Sequence, residues 1–72
     1  MRFVFPRADE ARQLKIFDVS GAQRWSGKIA RGEEGMEWRG TDASGRALPA
    51  GVYFAKLRDP HGEQQTRVVL MP

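Results

Sequence analysis

The sequence contains no cysteine, a single histidine and no long apolar run, and each absence excludes a class of protein or site. Without cysteine there is no disulfide to stabilise a small domain and no thiolate ligand for a metal ion. No stretch reaches the length of about 18 apolar residues that indicates a membrane-spanning helix, so no membrane insertion is expected. No phosphate-binding glycine loop, HExxH motif or nucleotide fingerprint is present, so no cofactor is expected.

Length and charge limit the number of domains and the kinds of partner that the chain can have. The 72 residues are enough for one small domain covering residues 1–72, and the net charge is +3 from 12 basic and 9 acidic residues. The basic residues are spread along the chain and interleaved with acidic ones. Nucleic-acid binders usually cluster their cations, so no nucleic-acid partner is expected.

Glycine and proline interrupt the chain too often for stable helices, and the segments between them are rich in β-branched and aromatic residues. The pattern predicts six strands, at residues 2–5, 12–19, 23–30, 36–39, 52–59 and 63–71. Strands at this spacing, separated by turn residues, are typical of an all-β sandwich or barrel.

The connections between the strands can also be predicted. Residues 59–62 form a β-turn signal, with proline and glycine at suitable positions, so the last two strands should form a hairpin. Residues 8–12 are interpreted as a hairpin loop rather than a helical turn. Gly27 within the third strand suggests a β-bulge.

Alternation of apolar side chains predicts the core. The expected core residues are Leu14, Ile16, Tyr53, Ala55, Leu57, Val68 and Leu70, completed by Phe3, Phe5, Trp38, Trp25 and Ile29. Val52 and Phe54 should then point away from Tyr53. They form either a minor exposed patch or a contact surface for a partner.

No catalytic constellation can be assembled, so an enzyme is not expected. His61 lies in the predicted 59–62 turn, without a serine or cysteine nearby to activate. Glu33 and Glu34 are flanked by glycines, which indicates a solvated turn rather than the cleft that paired catalytic carboxylates need.

Two further motifs have both a structural and a functional interpretation. Asp42 and Ser44 resemble part of an oxygen-rich calcium loop, but the other carboxylates of such a loop are missing, which favours Asp42 as a turn cap and Gly45 as a residue of positive φ. Trp25 and Trp38 could form a platform for a sugar, although tryptophan in a small sandwich more often packs in the core.

The segment from Trp38 to Leu57 carries a spaced pattern of residues: Trp38, Gly40, Asp42, Gly45, Pro49, Gly51, Tyr53 and Leu57. This pattern resembles the signature of FlgD-like immunoglobulin-like domains. Residues 14–21 match the second strand of that family with its turn, and residues 66–70 match its closing strand. Arg24 occupies a position that is usually aliphatic in the family, which predicts a bulge or a one-residue shift in the third strand.

The resemblance implies an immunoglobulin-like β-sandwich of six to seven short antiparallel strands. It implies a non-catalytic accessory module, C-terminal in an exported or cell-surface protein, whose partners are the parent polypeptide or export and assembly machinery. Two alternatives remain open. The first is a free-standing binding subunit that docks a protein partner through a sheet edge or through Val52, Phe54 and Trp25, and the second is a carbohydrate-binding module.

Overall fold

The computed structural model describes residues 1–71, and within that range the chain forms strands and no helix. The strand bounds follow the alternating apolar segments closely. The six strands are β1 (Arg2–Val4), β2 (Arg12–Asp18), β3 (Gln23–Ile29), β4 (Gly35–Glu37), β5 (Gly51–Asp59) and β6 (Gly62–Leu70).

The strands form two antiparallel sheets. A small sheet pairs β1 with β4, and a larger sheet has the strand order β3-β2-β5-β6. The β2–β3 and β5–β6 pairs are hairpins, and the second hairpin closes at Asp59 opposite Gly62, as the turn signal predicts. The fold class is therefore all-β with two antiparallel sheets.

Two predictions about the connections are wrong. Residues 8–12 are not a hairpin loop, because β1 pairs with β4 and the segment after β1 crosses from the small sheet to the large one. Gly27 is not a bulge, since it pairs regularly with Leu14. A Cβ on Gly27 would come within 2.4 Å of the Trp25 ring, so this glycine makes room for Trp25.

The irregularity in β3 lies at Arg24. Ile16 pairs with Trp25, while the next residue of β2, Phe17, pairs with Gln23. Arg24 is therefore the extra residue on β3. This confirms the bulge or one-residue shift that was expected in the third strand.

One hydrophobic core joins the two sheets. Its most deeply buried large side chains are Trp38, Leu14, Ile16 and Ile29. The full buried cluster consists of Phe3, Leu14, Ile16, Ile29, Trp38, Leu48, Tyr53, Ala55, Leu57 and Val68, with Phe5, Trp25, Met36 and Leu70 packed against it. Every predicted core residue is in one of these two groups, whereas Leu48 and Met36 were not predicted.

The small sheet covers only part of the large one. Gln64 and Thr66 lie on the same side of β6 as buried Val68 but are exposed. A groove of about 130 Å³ opens there, beneath Phe3 and Phe5 and along Gln64–Thr66. The inner face of the large sheet is therefore accessible next to the β6 edge.

Arg12, at the start of β2, is also buried, with 5% of its surface exposed. Its Nη2 donates to the Glu33 carbonyl at 2.8 Å, and its guanidinium lies 5.6 Å from the centre of the Phe5 ring. Arg12 was not predicted to be buried, although it lies two residues before Leu14 on the same face of β2.

Candidate functional site

Trp38 begins the signature segment and fixes its position against the core. The side chain is 1% exposed, and its indole Nε1 donates to the Thr41 carbonyl at 3.0 Å. Its ring packs against Phe3, Trp25 and Tyr53, with centroid distances of 6.4, 6.1 and 6.4 Å. Trp38 is therefore a core residue and offers no free ring face to a sugar.

Asp42 caps the turn that follows. Its Oδ1 accepts hydrogen bonds from the Ser44 amide at 2.9 Å, the Ser44 hydroxyl at 2.8 Å and the Arg46 amide at 3.0 Å. The Ser44 hydroxyl, followed by the Arg46 amide, lowers the pKa of the Asp42 carboxyl below its usual 3.8. A carboxylate oxygen that accepts hydrogen bonds from the backbone in this way caps a turn. In a calcium loop the carboxylate oxygens are instead directed at the metal ion.

The same turn occurs a second time in the chain. Asp18 Oδ1 accepts from the Ser20 amide at 2.9 Å, the Ser20 hydroxyl at 2.6 Å and the Ala22 amide at 3.0 Å. The Ser20 hydroxyl contributes most to lowering the pKa of Asp18 below 3.8. The two turns share the sequence Asp-x-Ser-Gly, and each glycine has φ of 89°. One turn closes the β2–β3 hairpin and the other shapes the β4–β5 connection.

The three glycines of the Trp38–Leu57 pattern are required for different structural reasons. Gly45 has the positive φ that was predicted for it. Gly40 lies against Leu70, since a Cβ there would meet the Leu70 side chain at 3.3 Å. Gly51 was expected to allow a close approach to the sheet, and this reason is wrong. No atom lies within 4 Å of a Cβ built at Gly51, and its φ of 150° is what disfavours other residues.

Tyr53 connects the signature segment to the start of β5. The ring is buried, and the hydroxyl donates to the Pro49 carbonyl at 2.7 Å, which confirms the predicted contact with loop backbone. Leu57 lies four residues further along β5, on the same face of the strand, and is also buried. The signature residues thus hold the β4–β5 connection against the core.

The three expected partner-contact residues do not share a surface. Val52 is 36% exposed and Phe54 is half-buried, and both point away from the core as predicted. Trp25 pairs with Ile16 and packs on Trp38, so it belongs to the inner side of the large sheet. Trp25 therefore cannot act together with Val52 and Phe54 in one contact.

The basic residues, although dispersed in the sequence, are not dispersed in the fold. The outer face of the large sheet, defined here as the side away from the core, carries five cations at regularly paired positions and one acid. The cations are Lys15, Lys28, Lys56, Arg58 and Arg67, and the acid is Glu63. The premise that the cations do not cluster on one face is thus wrong. Alternation places most of these residues opposite core positions on their own strands, but only the pairing of the strands brings them onto one surface.

The remaining candidate residues are in exposed connections. His61 lies in the β5–β6 turn, where its amide donates to Asp59 Oδ1 at 2.8 Å and its Nε2 is 3.3 Å from Glu10 Oε2. Glu33 and Glu34 precede β4, and Glu34 Oε1 lies 3.8 Å from Arg7 Nε. The His61 and Glu34 side chains therefore each contact an exposed neighbour at the surface.

Residues 1–71 contain no group of three or more histidine, cysteine, aspartate or glutamate side chains arranged to hold a metal ion. Over the same residues, no helix is long and apolar enough to span a bilayer. In comparisons with known proteins, no family model, no curated protein and no solved structure matches the chain.

Proposed function

We propose that the chain is an immunoglobulin-like β-sandwich of the FlgD-like type. Its role is that of a non-catalytic accessory module, the C-terminal structural or docking domain of an exported or cell-surface protein. The observation that carries the proposal is that the residues of the Trp38–Leu57 pattern have structural roles. Trp38, Asp42 and Tyr53 are all engaged in packing or in hydrogen bonds to backbone, and none presents a free reactive group.

Two details support the immunoglobulin-like assignment. Tyr53 near the start of β5 bonds the backbone four residues upstream, which is the arrangement of the tyrosine corner of such sandwiches. A buried tryptophan, Trp38, packs at the centre of the core between the two sheets, as tryptophan does in many of these domains.

A module of this kind acts through its stability and its surfaces. Its partners would be the rest of the parent polypeptide or the export and assembly machinery. The fold presents two sheet surfaces and two sheet edges for such contacts, and this role needs no cofactor.

The second candidate function is a free-standing subunit that binds a protein partner. The β6 edge favours it, because this nine-residue edge strand adjoins the groove beneath Phe3 and Phe5. A partner strand added at β6 could insert an apolar side chain into the groove. The β3 edge is less open, since the Ala43 amide donates to the Arg24 carbonyl at 3.1 Å.

A carbohydrate-binding role is the third candidate. It rests on Trp25 alone, because Trp38 is buried. Half-buried Trp25 already packs against Trp38, which leaves little ring surface for a sugar.

An immunoblot of cell, envelope and medium fractions of the source organism, with an antibody raised against the chain, separates the first two candidates. A band far above 8.1 kDa in the envelope or medium supports an exported parent protein. A band near 8.1 kDa inside the cell overturns the module proposal and favours the free subunit. The Trp38→Ala substitution in that parent protein should reduce its export, assembly or stability. Arg39→Ala, a neighbouring change at an exposed position, is the control and should have no such effect.

A further inference from the structure

The outer face of the large sheet has an apolar half. Phe17 of β2 lies directly opposite Phe54 of β5, and Val52 lies opposite Val69 of β6. Val52 is 36% and Val69 is 48% exposed, and both phenylalanines are half-buried. These four side chains adjoin one another across three neighbouring strands and are not covered by any described part of the chain.

The other half of the outer face is basic. Lys15 of β2 lies directly opposite Lys56 of β5. Two residues earlier on β2, Gln13 lies between Lys28 of β3 and Arg58 of β5. Like charges directly opposite each other in antiparallel strands are destabilising. Lys56 has Glu63 at 3.9 Å and lies over the Phe17 ring, but Lys15 makes no ion pair with residues 1–71.

Charge is therefore segregated between this face and the rest of the molecule. Five of the 12 basic residues and one of the 9 acidic residues are on the outer face. The rest of the chain has seven basic and eight acidic residues and is close to neutral. The positive potential of the chain thus originates mainly from one face of the large sheet, which also has an apolar half.

We propose that this outer face docks on a folded protein surface that presents an apolar patch beside a row of carboxylates. The inference rests on the accessory-module function proposed above and specifies the chemistry of the partner. The partner's apolar patch covers Phe17, Phe54, Val52 and Val69, and its carboxylates neutralise the Lys15–Lys56 pair. Burial of the apolar half supplies affinity, and the charged half sets the orientation.

Other occupants fit less well. A second copy would bring two basic faces together, which costs free energy through like-charge contact. Single-stranded nucleic acid binds by stacking bases on free aromatic faces. Here Lys56 Nζ sits 5.0 Å from the centre of the Phe17 ring, the Phe54 ring is half-buried, and Val52 and Val69 have no ring to stack on.

The test is an NMR titration of the isotopically labelled chain with defined probes. The main probe is a synthetic peptide in which a leucine block is joined to a glutamate block. Its controls are a glycine–glutamate peptide and a leucine–lysine peptide. Oligothymidine and vesicles of phosphatidylcholine and phosphatidylserine test the other occupants. We expect the leucine–glutamate peptide to shift the amides of Lys15, Phe17, Phe54 and Arg67, with weaker binding as salt is raised.

Matched variants separate the two halves of the face. Lys15→Glu combined with Arg67→Glu should weaken binding roughly tenfold or more, which corresponds to 1.4 kcal/mol. Arg31→Glu combined with Arg39→Glu makes the same change in net charge at exposed positions off the face, and should have a much smaller effect. Phe54→Ser should weaken binding, whereas Val4→Ser, at a 73% exposed position of β1, should not. A melting curve for each variant verifies the fold.

The proposal is overturned if the leucine–glutamate peptide shifts residues elsewhere, or if both charge-reversed pairs weaken it equally. It is also overturned if oligothymidine or the vesicles bind the face more tightly than the peptide, or if the chain dimerises through it. These outcomes are independent of the immunoblot result. An exported parent protein whose domain fails the titration refutes the docking face alone, and a cytoplasmic 8.1 kDa band with a positive titration refutes the module alone.

Discussion

The two faces of the large sheet are built from the same strands and differ in almost every other respect. On the inner face Leu14, Ile16 and Ala55 are at most 2% exposed and meet the small sheet. On the outer face the residues between them, including Lys15, Phe17 and Lys56, remain at the surface. Burial, and with it most of the stability, is therefore concentrated on the inner face. The predictions below test this division, from the largest expected effect to the smallest.

Trp38→Ala should destabilise the fold by about 3–5 kcal/mol, because it removes a fully buried ring that contacts both sheets. Chemical denaturation monitored by circular dichroism measures the change. Phe54→Ala, an aromatic truncation on the outer face, should cost clearly less. Equal losses for the two variants would contradict the division between the faces.

Gly35→Ala should disturb the pairing of β1 with β4 and so displace the small sheet from the core. An added Cβ would lie 2.0 Å from the Phe3 carbonyl oxygen, so the β1–β4 pair must shift. The expected cost is about 3 kcal/mol, at the upper end of overpacking penalties. Gly21→Asn is the control, since nothing lies within 4 Å of a Cβ there and asparagine tolerates positive φ. Hydrogen exchange at the β1 amides should increase only for Gly35→Ala.

Tyr53→Phe removes a single hydroxyl from the inner side and should cost about 0.5–1.5 kcal/mol. The loss arises because the Pro49 carbonyl gives up its hydrogen bond to the Tyr53 hydroxyl while the ring stays packed. Thermal melting provides the measurement. An unchanged melting temperature would show that the hydroxyl does not anchor the β4–β5 connection.

The smallest predicted effect concerns the two aspartate turns. The pKa of Asp18 and that of Asp42 are lowered in the fold, so both contribute stability that is complete above the usual 3.8 and is lost as pH falls through the lower folded pKa. Asp18→Asn combined with Asp42→Asn should flatten the pH dependence of the free energy of unfolding below about pH 4. Asp9→Asn, an exposed control outside both turns, should preserve it. A double variant with the slope of the parent chain would refute the assignment.

The sequence was sufficient for the local features of the fold. Alternation in residues 12–19 and 52–59 identified the central strands and the residues that pack between the sheets. Asp42, Gly45 and the 59–62 turn were predictable because their hydrogen bonds are made within a few residues. The outward direction of Val52 and Phe54 followed from the same alternation.

The features that depend on distant pairing were missed. Residues 8–12 looked like a hairpin loop because nothing local indicates that β1 pairs with β4. Leu48 lies in a proline and glycine segment without alternation, and it is buried because its amide bonds the Gly40 carbonyl. The clustering of cations was missed because Lys15 and Lys56, far apart in sequence, become neighbours only when β2 pairs with β5.

The contact between Trp25 and Trp38 gives the protein an internal optical signal. Two indole rings 6.1 Å apart and inclined at 41° are close enough for their excited states to couple, and the coupled pair should give a split circular-dichroism band in the ultraviolet. One ring is on β3 and the other immediately follows β4, so the split band exists only while the two sheets are docked. Its amplitude would report the docking of the sheets independently of the strand content of each.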